Sequence, residues 1–318
     1  MKLRILLTGK TGQVGSELQR LLPQLGQLFA SDRGELDLLK PDTLRRVIRE
    51  TRPQLIVNAA AYTAVDAAEN DESNAYAINA EAPAVLAAEA KRLNALLVHY
   101  STDYVFDGSK RAPYDETDQT NPLNVYGKSK LAGEQAMRDS GASCLVFRTG
   151  WIYSRSGRNF LLTILRLATE REELRIVCDQ IGSPTCARDV AAVTTKILQR
   201  IYAQDQSQSF ISSVCGTYHM TAAGETSWYE FATEILEKAR HVSPQVPWFS
   251  AATNGRRITA RRVLPISAEE FRSPTRRPAY SVLSNSRLTQ TFGVTLPHWQ
   301  NQLHRCFAPK ALTSNLLD

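Results

Sequence analysis

Short apolar runs alternate with helix-period segments through the first 150 residues, and few architectures accept that rhythm. Leu3–Thr8 reads as a buried strand, and Val14, Leu18, Leu21 and Leu22 then mark one face of a helix over 15–22. Strands follow at 27–31, 55–59, 96–101 and 144–148, with helices at 42–50, 75–93 and 126–140 between them. Repeated β-α-β units imply a parallel sheet with helices on both faces. Such α/β sheets, Rossmann-like and doubly wound, hold ligands beyond the carboxyl ends of their strands.

Past residue 150 the rhythm loosens. Helices are expected at 160–169, 187–201 and 228–240, an irregular Pro-, Ser- and Arg-rich stretch at 243–280, and a loose tail at 308–318. At roughly 100–200 residues per domain, 318 residues suggest two. The expected division is a larger part, 1–150 with 183–222, and a smaller discontinuous part, 151–182 with 223–318.

Composition narrows the class. Hydrophobic residues make up 43% and charged residues 22%, enough apolar surface for a large core without disulfides or metals. The charge of +6 is a mild excess that suits an anionic ligand better than nucleic acid. No apolar run reaches membrane-spanning length, and Ile5-Leu6-Leu7 is too short for a signal-peptide core. The odd, scattered cysteines (Cys144, Cys178, Cys186, Cys215, Cys306) form no C-x-x-C pair, which points to a reduced, cytoplasmic protein. The five histidines show no zinc-site spacing, so no metal is expected.

Two motifs carry chemistry. Gly9, Gly12 and Gly15 follow the first strand with G-x-x-G-x-x-G spacing. Glycines there let the backbone turn sharply and approach a pyrophosphate at the next helix N-terminus; a ligand-free tight turn is the bland alternative. Asp32, about 20 residues on, stands where an acid meets the adenosine ribose of NAD. Arg33 beside it suits a 2′-phosphate, so the pair leaves NADH and NADPH both open. Asn58 and Ala59–Ala61 close the third strand with small side chains.

Tyr126 and Lys130 lie one helical turn apart and share a face. An ammonium there favours the phenolate, and a tyrosine so tuned can protonate a carbonyl oxygen. Alone, Y-x-x-x-K is usually a surface pair. After a glycine loop and a β-α-β half, it reads as catalytic. Ser101-Thr102-Asp103 ends the fourth strand, where a hydroxyl can bond a substrate carbonyl or merely cap a turn. Of the seven arginines crowding 256–277, most read as solvated charges, with Arg276 or Arg277 the candidates for an anionic ligand. The run lacks the aromatic interleaving of a nucleic-acid face.

With these residues assembled, the chain resembles the extended short-chain dehydrogenase/reductases and, more narrowly, the dTDP-4-dehydrorhamnose reductase family. The likeness rests on GKTGQVG (9–15), VNAAAYTAVD (57–66), HYSTDYVFD (99–107), PLNVYGKSKLAGE (122–134), FRTGWIY (147–153), DQIGSPT (179–185) and Arg276-Arg277-Pro278. The resemblance implies Tyr126 as general acid, Lys130 on the nicotinamide ribose and Thr102 at the carbonyl. It implies cofactor contacts at Gly9, Gly12, Gln13, Val14, Gly15, Asp32, Asp37, Leu38, Ala61, Tyr62, Thr63, Tyr126 and Lys130. Sugar-nucleotide contacts fall on Thr102, Asp103, Trp151 and Arg277. The implied reaction is NADPH- or NADH-dependent reduction of dTDP-4-dehydro-L-rhamnose to dTDP-L-rhamnose, which feeds bacterial surface polysaccharide such as O-antigen.

Tyr62 stands where many relatives carry histidine. Glu17 suits the carboxylate metal site through which some relatives dimerise, but Arg188 stands where a further acid is wanted. A metal-bridged dimer is therefore discounted, while a homodimer stays open. Two alternatives keep the scaffold: another sugar-nucleotide epimerase or dehydratase, and a non-enzymatic subunit like the methionine adenosyltransferase beta subunit. The intact Thr102, Tyr126 and Lys130 weigh against the second.

Overall fold

The computed structural model describes residues 2–203 and 208–308. Its principal elements begin with β1 (Leu3–Thr8), α1 (Gln13–Leu21), β2 (Gly26–Ser31), α2 (Pro41–Thr51) and β3 (Leu55–Asn58). Next come α3 (Glu72–Tyr76), α4 (Ala82–Leu93), β4 (Leu96–Thr102), α5 (Val125–Ser140) and β5 (Cys144–Thr149). The second half adds α6 (Phe160–Glu170), β6 (Glu173–Val177), α7 (Ala187–Ala203), β7 (Gly216–His219) and α8 (Trp228–Ala239). It closes with α9 (Pro247–Thr253), β8 (Arg262–Ile266), α10 (Ser286–Phe292) and α11 (Trp299–Phe307).

Six strands form one parallel sheet in the order β7-β5-β4-β3-β1-β2. This is the doubly wound α/β class expected. The order reverses at β1, so the carboxyl ends of β1 and β3 open a crevice. Successive side chains point to opposite faces. Ile5, Leu7, Val57, Val98 and Phe147 pack against Leu18 of α1 and Val190 and Ile197 of α7. Leu6, Ile56, Leu97 and Val146 pack on the other face against Leu44 and Ile48 of α2 and Leu86 and Ala90 of α4. At roughly 1.5–3 kcal/mol per fully buried aliphatic side chain, the two faces together dominate the stability of this half. A separate cluster away from the sheet gathers Tyr153, Leu161, Ile164, Phe231, Trp299 and Leu303.

Local signals set the element ends. Asn124 caps α5 by accepting from the Gly127 N–H at 2.8 Å, and Gly141 ends it at φ +66°. Ser227 and Glu230 form a reciprocal capping box on α8.

Two expectations need correction. The single helix at 75–93 is instead α3 and α4 joined by a π turn at Ala77–Glu81. The 243–280 stretch is not irregular: it holds α9 and β8, and β8 pairs in parallel with β6. Pro265 is tolerated there because β8 has only one neighbour, so a missing N–H on its outer edge costs little. The tail expected at 308–318 lies, from 309 onward, outside the described residues. Among the described residues no helix is long and apolar enough to cross a membrane.

Candidate active site

The glycine loop joins β1 to α1 at the reversal of strand order. Gly9 sits at φ +75°, and a Cβ on it would lie 2.7 Å from the Ala60 backbone nitrogen. A Cβ on Gly15 would stand 2.0 Å from the Gly9 carbonyl oxygen, so the first turn of α1 closes onto the loop only because both positions lack side chains. Gly12 is the α1 N-cap, and no side chain caps it. A bare, uncapped helix N-terminus fits the pyrophosphate of a dinucleotide.

The remaining expected cofactor residues differ in what they offer. The Gln13 side chain is already engaged, donating to the Ile152 carbonyl and accepting from Ser154 and Asn159, so it ties α1 to the 152–159 segment. Val14 packs against the core on the α1 side of the sheet, and Leu38 is buried in the core of the opposite face, which leaves Leu38 only its backbone for a ligand. Asp32 accepts from the Gly34 N–H and lies 3.6 Å from Lys10 Nζ, which also bonds Glu35. Asp37 accepts from the Leu39 N–H and stands 3.9 Å from Arg33 Nε. Ala61, Tyr62 and Thr63 are at most half-buried, and the Tyr62 hydroxyl donates to Asp71 at 3.0 Å.

Thr102, Asp103 and Tyr126 do come together, at the carboxyl end of β4. Thr102 accepts from the Tyr104 N–H, donates to Asp103 Oδ1 at 3.0 Å, and lies within hydrogen-bond reach of the Tyr126 phenol. Its cap role and a substrate role therefore coexist. The Tyr104 ring meets Tyr126 edge-on at 6.0 Å. Asp103 is 3% exposed and its Oδ2 has no close hydrogen-bond partner among the described residues; burial lifts its carboxyl to about 6 against hydrogen bonds from Ser281 and Thr102.

The electrostatics of the Tyr126–Lys130 pair differ from expectation. Burial, not the lysine, dominates Tyr126 and raises its phenol to about 12, with Thr102 pulling it down and Asp103 pushing it up. Lys130 Nζ is turned inward, 2.6 Å from the Tyr100 carbonyl and 3.0 Å from His99 Nε2, and burial lowers it to about 8. A phenol held protonated and beside a hydroxyl is suited to give a proton to an oxygen that gains charge.

Trp151 adopts φ +50°, rare for a bulky residue, and stacks flat on Trp228 at 3.4 Å. A Cβ on Gly182 would lie 2.3 Å from the Trp151 ring, so glycine there makes room for the indole. Arg277 pairs with Asp66 at 2.8 Å, bonds Ser273, and reaches the Tyr104 phenol beside Tyr126. Arg276 offers its carbonyl to Asn124. Arg261 and Arg262 pair with Glu172 and Glu173, as solvated surface charges do. Glu17 pairs with Arg20.

Three site residues, Thr8, His99 and Asn79, escaped the sequence, and Asn58 was read there only for its small side chain. Thr8, Asn58 and His99 form a buried polar chain ending on Lys130. Asn79, fully buried in the π turn, accepts from the Tyr62 N–H at 2.9 Å and donates to the Tyr62 carbonyl and Ser129 hydroxyl, each at 3.0 Å. An Asn in an otherwise Ala-rich helix was the one available signal.

Comparisons with known proteins bear on this site. The family described as RmlD substrate binding domain matches residues 2–311. A dTDP-4-dehydrorhamnose reductase of Burkholderia thailandensis is 48% identical over 304 residues, covering 96% of this chain and 98% of that protein. The Escherichia coli K12 protein of the same name is 41% identical, covering 94% of this chain and 95% of its own. A solved Bacillus anthracis dTDP-4-dehydrorhamnose reductase in complex with NADP superposes with a TM-score of 0.82 at 36% identity, over 96% of this chain and 99% of that one.

Proposed function

The chain belongs to the RmlD family of dTDP-4-dehydrorhamnose reductases, and on that premise we propose that it reduces the C4 carbonyl of dTDP-4-dehydro-L-rhamnose, yielding dTDP-L-rhamnose for bacterial surface polysaccharide. NADPH or NADH, when bound, supplies the hydride. Tyr126 gives the proton of its hydroxyl to the carbonyl oxygen, so an O–H bond forms on the sugar as the C=O π bond breaks. The charge left on the phenol oxygen faces the Thr102 hydroxyl. Lys130, one turn along α5, holds the nicotinamide ribose. The glycine loop takes the pyrophosphate, with Gln13 and Val14 contributing backbone. Asp32, Asp37, Leu38, Ala61, Tyr62 and Thr63 line the adenosine and nicotinamide sides. Asp103 offers its free Oδ2 to a sugar hydroxyl, Trp151 bounds the sugar nucleotide, and Arg277 takes the diphosphate after exchanging Asp66 for it.

The observation that carries this is the convergence of Thr102, Tyr126 and buried Lys130 at the strand ends beside an uncapped glycine loop. The division into 1–150 with 183–222, and 151–182 with 223–318, goes with it. The cluster around Phe231 and Trp299 supports a second unit, although Leu288–Leu296 side chains pack on the sheet's core. The five free thiols support a cytoplasmic location. Tyr126→Phe is expected to lose roughly 10²–10⁴-fold in kcat while NADPH binding persists. Near-normal turnover by that variant removes Tyr126 as the acid.

A further inference from the structure

Lys130 is 1% exposed, and so is His99 in the body of β4. The 3.0 Å approach of Lys130 Nζ to His99 Nε2 raises the question of which atom holds the proton between them. The Asn58 amide answers it. Its Oδ1 accepts from the Thr8 hydroxyl at 2.6 Å and from the Ala60 backbone N–H at 3.3 Å. A backbone N–H only donates, so oxygen must face it, and the amide NH2 must face His99. Nδ1 of His99, 3.0 Å from Asn58 Nδ2, is therefore an acceptor. Burial of the imidazole holds the ring neutral. Its single proton then sits on Nε2, aimed at Lys130 Nζ.

A neutral amine matches this arrangement: its lone pair receives the Nε2–H while one N–H serves the Tyr100 carbonyl. An ammonium has no lone pair and sets N–H against N–H. We propose that His99, locked as the Nε2–H tautomer by Asn58 and Ala60, is a positioning residue that opposes the ammonium form of Lys130, so that Lys130 exchanges its proton readily instead of standing as a fixed cation. The other groups that bear on the pair are few. Glu134, on the same helix, favours the ammonium, but Arg148 and Ser101 occupy its carboxylate. Tyr126 stands one turn back, and Asp103 acts on Tyr126. Thr8 and Asn58, on β1 and β3, carry no charge.

The inference rests on Tyr126 and Lys130 being the working pair, and the experiments separate the two. Histidine-selective ¹⁵N NMR of the unaltered protein at pH 7 should show His99 protonated on Nε2 and bare on Nδ1; an Nδ1–H tautomer or an imidazolium overturns the proposal. The kcat–pH profile is the functional readout, since its alkaline limb reports a proton that must be present as hydride arrives. His99→Gln fills the space and presents a carbonyl to the amine. Its alkaline limb should move up by about one pH unit with KM values little changed. If that variant does not fold, His99→Asn, which keeps an acceptor for Asn58 and lacks the Nε2–H that reaches Lys130, should move the limb in the same direction. A limb that stays at its wild-type position overturns the role of His99, whereas loss of the pair itself is read from Tyr126→Phe.

Discussion

Asp103 concentrates the site's cost in one side chain. Its carboxyl is buried, accepts from the Thr102 hydroxyl at Oδ1, and has no close hydrogen-bond partner at Oδ2 among the described residues. Burial raises its folded-state pKa from 3.8 to about 6. A raised acid favours folding while protonated, so its contribution is complete below about 3.8 and is lost as pH rises through about 6. Asp103→Asn keeps an acceptor at Oδ1 and removes the titration. The variant should therefore exceed the wild type in stability at pH 7.5, by up to about 3 kcal/mol, with the difference vanishing near pH 4. Urea unfolding at the two pH values measures it. A variant with the wild-type pH dependence would show that the Asp103 carboxyl is not held above its usual range.

At the level of elements, the π turn between α3 and α4 fixes the 61–63 segment, the strap proposed above to line the cofactor. One extra residue per turn rotates Asn79 out of the helical face and onto the 61–63 segment, where it pairs both backbone groups of Tyr62. Its remaining amide hydrogen bonds Ser129 on α5, so strap and catalytic helix are tied through one side chain. Asn79→Ala leaves the Tyr62 N–H and carbonyl without their protein partner. It is expected to cost about 2–4 kcal/mol in chemical denaturation and to weaken NADPH binding more than it lowers kcat at saturation. Unchanged NADPH affinity would separate Asn79 from the strap. The second pairing between elements is Arg148 on β5 with Glu134 on α5, both buried and bidentate, with Ser101 of β4 on the same carboxylate. Removing one partner alone strands a buried charge, so Glu134→Gln should destabilise by about 3–5 kcal/mol. A loss under about 1 kcal/mol on thermal unfolding would show that water reaches the pair.

Across the whole molecule, what the sequence disclosed follows from burial. Strands covered on both faces read as continuous apolar runs, which is why LIVN at 55–58 and CLVFRT at 144–149 stood out. ELRIV of β6 and RVLPI of β8 mix exposed, half-buried and buried positions in a two-stranded ribbon and are not covered throughout. The glycine loop and the Tyr126–Lys130 spacing were legible because each lies within one local segment. The chain from Thr8 through Asn58 and His99 to Lys130 draws on four segments joined only by the sheet register, which sets Thr8 beside Asn58 and Asn58 beside His99. No spacing rule reaches it. The Trp151–Trp228 stack likewise joins residues 77 apart in number, one of them in a left-handed conformation. The inward turn of Lys130 was hidden for the same reason, and with it the dominance of burial over the lysine charge at Tyr126.

A reductase with Tyr126 as its acid spends one reduced nicotinamide per carbonyl reduced. The most direct test mixes the purified protein with dTDP-4-dehydro-L-rhamnose and limiting NADPH or NADH, and follows absorbance alongside product. One nicotinamide should be oxidised for each dTDP-L-rhamnose formed, and this loss should all but disappear in Tyr126→Phe. Conversion of the keto sugar with no net nicotinamide oxidation, as an epimerase or dehydratase that recycles its cofactor would give, contradicts that expectation.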